Sequence, residues 1–142
     1  MKIHIIYDNV NFRVKHWRKI KKLIEKVITK ECSCSGDLNF IITTDDVLKE
    51  INIEFLKHNY YTDVISFNYD YNNSLLGEIY ISIDTVKRNA KNYKISYRNE
   101  FLRVIIHGVL HICGYDDKTD YERKKMSIRE DYWLMIYRKL IE

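Results

Sequence analysis

The sequence contains no proline and only four glycines in 142 residues. With Lys, Ile, Asn and Tyr abundant, the missing proline reads as genomic composition and says nothing about function. Long apolar runs are also missing. The longest is broken by histidines and falls short of the roughly 20 residues a membrane-spanning helix needs. The first residues, MKIHIIYDN, have neither the apolar centre nor the small-residue cleavage site of a signal peptide. A cytoplasmic chain without membrane association is therefore expected. The three cysteines fit a reducing compartment. Cys32 and Cys34 are separated by one residue, which excludes a CxxC redox or zinc pair and makes them expected loop residues. Cys113 is expected to be a small core residue. No repeat, linker or low-complexity stretch divides the chain, so residues 1–142 are expected to form a single domain.

Charge is present but unevenly spread. The net charge is +4. Between residues 13 and 30, Arg13, Lys15, Arg18, Lys19, Lys21, Lys22, Lys26 and Lys30 stand against Glu25 alone. Such a run is either a solvated helix face or an electrostatic footprint for a phosphate backbone.

Periodicity orders the elements. Lys2 to Tyr7 reads as a strand. Val14, Trp17, Ile20, Leu23, Ile24, Val27 and Ile28 recur at helical spacing, with Trp17 in the core. Ser33 to Asp37 reads as a loop and Leu38 to Thr43 as a second strand. Thr44 or Asp45 caps a helix whose Val47, Leu48, Ile51 and Phe55 face inward. Asp63 to Tyr69 and Leu75 to Ile83 form strands suited to a hairpin, followed by a helix capped by Asp84 and running to about Tyr93. Tyr97 to Cys113 is apolar almost all round, the mark of a central buried helix. Thr119 and Glu122 form a capping box for a last helix, packed through Met126, Trp133, Leu134, Tyr137, Leu140 and Ile141. The class is α+β: a mixed sheet of about four strands with helices packed on it.

The central helix carries the chemistry, in the stretch RVIIHGVLHICGYDD. His107 and His111 are four apart, so both imidazoles project from one helical face and can share a metal ion. Gly114 suits the positive-φ end of that helix, and Asp116 and Asp117 follow as candidate third ligands. Taken with Asp117, the spacing is that of the long zincin motif, with its glycine turn between the second and third ligands. The zincin general base is missing, because the residue after the first histidine is Gly108.

His107 to Asp116, HGVLHICGYD, resembles the signature His-Gly-x-Leu-His-x-x-Gly-Tyr-Asp-His of the YbeY family of bacterial rRNA-maturation endoribonucleases. The segments Thr62-Asp63-Val64-Ile65-Ser66-Phe67 and Leu76-Gly77-Glu78-Ile79 are similar to further markers of that family, and Arg98 and Glu100 stand near its Arg-Glu helix start. The resemblance covers roughly residues 40 to 130. It implies a metal-dependent, single-strand-specific endoribonuclease acting in rRNA maturation, including the 3′ end of 16S rRNA, and in ribosome quality control. The implied partners are an rRNA precursor and the ribosomal small subunit, with no nucleotide cofactor.

Two departures from the family stand out. Asp117 occupies the place of the third histidine, and the family's spacing makes it, rather than Asp116, the third ligand beside His107 and His111. Its charge makes the ion a weaker Lewis acid, so one Zn²⁺ per chain is expected with harder ions such as Mn²⁺ as competitors. Leu56 stands where the family has an arginine, leaving Lys57 and His58 as candidate phosphate contacts and Asp116 as candidate base. Thr62, Asp63 and Ser66 are expected to serve the strand start. Glu100 is expected to act as a helix N-terminal charge rather than as a hydrogen-bond partner of His107. Two other readings compete: a metzincin-like zinc peptidase, and a non-catalytic ribosome assembly factor with a structural metal.

Overall fold

The computed structural model describes residues 2–32, 36–57, 62–69 and 75–141. His58, Cys34 and most of the turn expected over Tyr69 to Ser74 lie outside the described residues. Among the described residues, four strands and five α-helices follow in the order β1 (Ile3–Tyr7), α1 (Trp17–Val27), β2 (Gly36–Thr43), α2 (Asp45–Ile51), β3 (Val64–Asn68), β4 (Leu75–Ser82), α3 (Ile83–Tyr93), α4 (Tyr97–Ile112) and α5 (Asp120–Ile141). The sheet order is β1-β2-β4-β3. The first three strands are parallel, and β3 runs antiparallel to β4 along one edge, making the expected hairpin. The α+β class and the mixed four-stranded sheet agree with the sequence reading.

Alternation along β2 and β4 buries Leu38, Phe40, Ile42, Ile79 and Ile81 on one face, where α1 and α4 pack. Helix α4 buries ten of its residues, among them Phe101, Val104, Ile105, Val109 and Leu110, and touches α1, α3, α5, β3 and β4. It is the central helix that its composition predicts. Two glycines let it approach the sheet. A Cβ on Gly77 would meet Ile112 Cδ1 at 2.8 Å, and one on Gly108 would meet Ile79 Cγ2 at 2.8 Å. Among the described residues, no helix is long and apolar enough to cross a membrane.

Several local expectations need correction. Phe55 is 62% exposed because α2 ends at Ile51 and the chain continues as a π-helical turn, Asn52–Leu56, which carries it outward. Asp84 does not cap its own helix. Ser82 Oγ accepts from Thr85 N at the start of α3, whereas Asp84 Oδ2 accepts from Asp45 N at the start of α2. The two helix ends thus share their acids, since Asp45 Oδ1 in turn accepts from Ser82 and Thr85 hydroxyls. The cysteine reading also changes. Cys32, in the π-helical turn Ile28–Cys32, is disulfide-bonded to Cys113 at the end of α4, across a separation of 81 residues. Spacing along the chain cannot reveal such a pairing, and the cysteines no longer argue for a reducing compartment.

Candidate metal centre

The site is built at the last turn of α4. Ser96 caps the helix start, its Oγ accepting from Asn99 N at 3.1 Å. The helix end is a Schellman motif: Gly114 N–H donates to the His111 carbonyl and Tyr115 N–H to that of Leu110, both at 3.0 Å. Gly114 has a φ of 102°, a conformation that only glycine adopts without strain. This turn sends the chain back past the histidine face and delivers Asp117 to it. From β3, Ser66 Oγ donates to the Gly108 carbonyl at 3.2 Å and Asn68 Nδ2 to that of Ile112 at 3.1 Å, fixing the histidine turn against the sheet edge. These bonds tie Ser66 to the helix that bears the site rather than to its own strand.

Three ligand atoms converge. His107 Nε2 and His111 Nε2 are 3.1 Å apart, and Asp117 Oδ2 lies 3.4 Å from the first and 3.2 Å from the second. The far nitrogen of each ring is engaged. His107 Nδ1–H donates to Glu130 Oε2 at 2.8 Å, and His111 Nδ1–H donates to the Tyr115 carbonyl at 3.0 Å. A carboxylate and a carbonyl only accept, so both neutral rings carry their proton on Nδ1 and turn the Nε2 lone pair inward. Two lone pairs and a carboxylate oxygen then face one another, an arrangement that a cation stabilises and that is repulsive without one. Their triangle also has the right size, because ligands about 2.1 Å from a tetrahedral ion sit about 3.4 Å apart. His107, His111 and Asp117 could therefore hold a metal ion.

Behind His107 lies a charged cluster. Arg103 bonds Glu100 through Nε (2.8 Å) and Nη2 (2.6 Å), reaches Glu130 Oε1 at 3.2 Å and stands 3.9 Å from Asp63. Glu100 and Glu130 are buried, at 0% and 5% exposure. One guanidinium against three carboxylates leaves excess negative charge next to the ligands, which favours a cation there. Burial pushes the Asp63 carboxyl above the usual carboxylate range, against the pull of His107 and Arg103. Burial disfavours a charged His107 ring, but the hydrogen bond and charge of Glu130, with Asp63 and Asp117, outweigh it and hold the imidazole above its ordinary value.

Of the two aspartates, the fold brings Asp117 to the histidines. Asp116 is exposed and lines an adjoining cavity of about 370 Å³ together with Leu56, Thr62, Ser66, Asn68 and His111. Leu56, at the position of the expected arginine, thus opens onto the space beside His111. Lys57 follows it, exposed and with a φ of 57°, and nothing described joins its side chain to the ligands. Glu100 does not touch His107; its partner is Arg103, and the acceptor for His107 is Glu130. The sequence reading passed over Glu130, although its place on the packing stripe Met126-Glu130-Trp133-Tyr137 marks it as a buried carboxylate in need of a partner. Gly108 faces Ile79, Val64 and Ser66 on the sheet, so the position of the peptidase base points away from the ligands and has no room for a side chain.

The chain as a whole is similar to known proteins. The family model described as Endoribonuclease YbeY matches residues 5–138. Endoribonuclease YbeY of Flavobacterium psychrophilum is 39% identical over 128 residues, 90% of this chain and 91% of that protein. The Chloroherpeton thalassium protein of the same name is 42% identical over 116 residues, 82% of each. Among solved structures, the solution structure of TM1509 from Thermotoga maritima superposes with a TM-score of 0.65 at 28% identity, covering 95% of this chain and 88% of that one. With the model spanning nearly the whole chain and these identities sustained over most of it, the chain belongs to the Endoribonuclease YbeY family.

Proposed function

We propose that this protein is a zinc-dependent endoribonuclease that cleaves single-stranded segments of rRNA precursors in the cytoplasm, including the 3′ end of 16S rRNA. Membership of the family makes it a hydrolase of RNA phosphodiester bonds with a part in rRNA processing. The choice of zinc, the strand preference, contact with the ribosomal small subunit and a part in ribosome quality control are our reading.

The observation that carries it is the convergence of three metal-ligating atoms whose rings are oriented from behind by Glu130 and Tyr115. Three protein ligands leave a coordination position open, as catalytic sites do, whereas structural zinc sites are usually closed by four. A divalent ion held there would supply Lewis-acid charge to a phosphodiester oxygen. The chain's own groups do the rest. Asp116, on the wall of the cavity next to His111, accepts the proton of the attacking hydroxyl, whether from water or from the RNA 2′-OH. Lys57, next to Leu56, meets the flanking phosphates as a point charge, with His58 as a second candidate phosphate contact. Glu130 keeps the His107 ring aimed at the ion. The peptidase alternative loses support because position 108 faces the sheet.

The test pairs elemental analysis with cleavage of an unstructured oligoribonucleotide. The expected result is one zinc per chain, cleavage lost on chelation and restored by zinc, and both lost in His107→Ala and His111→Ala. Full cleavage by chelated protein would defeat the proposal. Tightly held metal without any cleavage would favour the assembly-factor reading.

A further inference from the structure

Helix α1 presents Arg18, Lys22 and Lys26 at every fourth residue, and Lys30 continues the row in the π-helical turn after it. All four are exposed, and among the described residues none pairs with a carboxylate. Successive members sit about 6 Å apart along the helix axis. Like charges stacked at this spacing destabilise a helix. Lys30 is held by the Tyr132 hydroxyl at 3.0 Å, whereas Arg18, Lys22 and Lys26 have no such compensating contact among the described residues.

Lys22, Lys26 and Lys30 form one rim of a groove of about 530 Å³ between α1 and α5, whose walls also include Glu25, Tyr132 and Trp133, and Arg18 continues the row beyond it. The floor is apolar and aromatic. Trp133 is buried, and its ring meets that of Tyr132 at 5.0 Å, edge on. Cations flank the aromatic rings: Lys30 Nζ lies 4.8 Å and the Arg129 guanidinium 4.5 Å from the Tyr132 centroid. Among the described residues, Glu25 is the one carboxylate in this wall.

The Lys30 end of the groove leads toward the end of α4, to which Cys32 is bonded through Cys113. Glu31, which follows Lys30, accepts hydrogen bonds from the Tyr115 hydroxyl at 2.5 Å and from Arg129 Nε at 2.8 Å. Tyr115 is also the residue whose carbonyl orients His111. Lys125 Nζ stands 5.6 Å over the Tyr115 ring and extends the cationic line toward the ligands.

We infer that this groove is a second RNA-binding site, which holds the single-stranded substrate along α1 as it leaves the metal centre. Cations on the rim suit phosphates, and the half-buried Tyr132, rather than the buried Trp133, is the ring that an unpaired base could reach. The inference rests on the reading of the chain as an endoribonuclease and adds the path of the strand.

The test compares wild type with Arg18→Gln/Lys22→Gln/Lys26→Gln, three exposed positions outside the metal centre, with circular dichroism confirming the fold. Binding is titrated against salt on an oligouridylate of about 20 nucleotides, and cleavage is assayed on that strand and on one of about four nucleotides, which reaches only the metal centre. The expected result is roughly tenfold or more loss of affinity and a salt slope smaller by about 2, from three phosphate contacts at about 0.7 each on a single strand. Cleavage of the long strand falls with it, cleavage of the short strand holds, and Lys22→Arg/Lys26→Arg behaves as wild type. Unchanged affinity and slope, with both strands still cut, would overturn the groove and leave the endoribonuclease standing. Unchanged RNA binding with lost binding of polyglutamate would assign the row to an acidic protein instead. A wild type that neither binds nor cuts either strand would remove the endoribonuclease reading, and this inference with it.

Discussion

His107 Nδ1 and Glu130 Oε2, 2.8 Å apart, join the metal helix to the last helix, and Arg103 binds the other oxygen of the same carboxylate. The carboxylate sets the tautomer of His107 and strengthens it as a ligand. Glu130→Ala should weaken zinc affinity about 10–100-fold, while Glu130→Gln, which keeps an acceptor but not the charge, should fall between. Competition with a chelating indicator reads this directly. Equal affinity in all three proteins would remove Glu130 from the site.

Gly108 lets α4 lie on the sheet, and a methyl there would come within 2.8 Å of Ile79 Cγ2. Gly108→Ala should cost about 1–3 kcal/mol, seen as a lower thermal midpoint. Gly108→Glu should be less stable still and gain no peptidase activity, because the new side chain would enter the sheet interface. Hydrolysis of unstructured peptides by Gly108→Glu would contradict this placement.

The neighbouring aspartates should separate in their effects. Asp117 Oδ2 lies within 3.4 Å of both histidine nitrogens, whereas Asp116 faces the cavity. Asp117→Ala should lose more metal affinity than the roughly 10–100-fold expected of an outer partner. Asp116→Asn should keep the metal and lose cleavage by about 10²-fold or more, the worth of a general base. If Asp116→Asn loses the metal and Asp117→Ala keeps it, the two roles are exchanged.

What could be read in advance depended on how local the signal is. Helix α4, its Gly114 turn and the His107–His111 pair were readable because each rests on spacings of a few residues. The same holds for the capping box, where Thr119 N donates to Glu122 Oε1 at 3.0 Å and Glu122 N to Thr119 Oγ1 at 3.1 Å. The hidden features join distant parts of the chain. Asp84 caps α2 across 39 residues, Glu130 meets His107 across 23, and Cys32 reaches Cys113 across 81. Phe55 misled because the helical period continued in sequence while the helix widened into a π-turn. The choice between Asp116 and Asp117 needed the turn geometry, since adjacent residues leave a turn in different directions.

Leu56 opens onto the cavity that His111 and Asp116 also line. An arginine there would meet a bound phosphate with a charge-assisted bond worth about 1.5–3 kcal/mol. Leu56→Arg should therefore raise kcat/KM for RNA about tenfold or more, chiefly by lowering KM, without changing metal content. A variant no better than wild type would mean that phosphate is already held by another group, with Lys57 the first to substitute.

The Cys32–Cys113 disulfide closes the π-helical turn after α1 onto the end of the metal helix, two residues beyond His111. Cross-linking across 81 residues removes much of the freedom of the unfolded chain, worth up to about 4.5 kcal/mol on the chain-entropy account. For a chain of this size, each kcal/mol moves the thermal midpoint by about 3 °C, so reduction should lower it by on the order of 10 °C. Cys32→Ser and Cys113→Ser should each reproduce that fall, and the double variant should add little to either, because both act on the same bond. Intact-mass analysis after alkylation without reductant should find neither residue modified. Modification of both Cys32 and Cys113 in the folded, unreduced protein, with a midpoint indifferent to reductant, would show that the bond does not form in solution and that the two thiols only sit side by side.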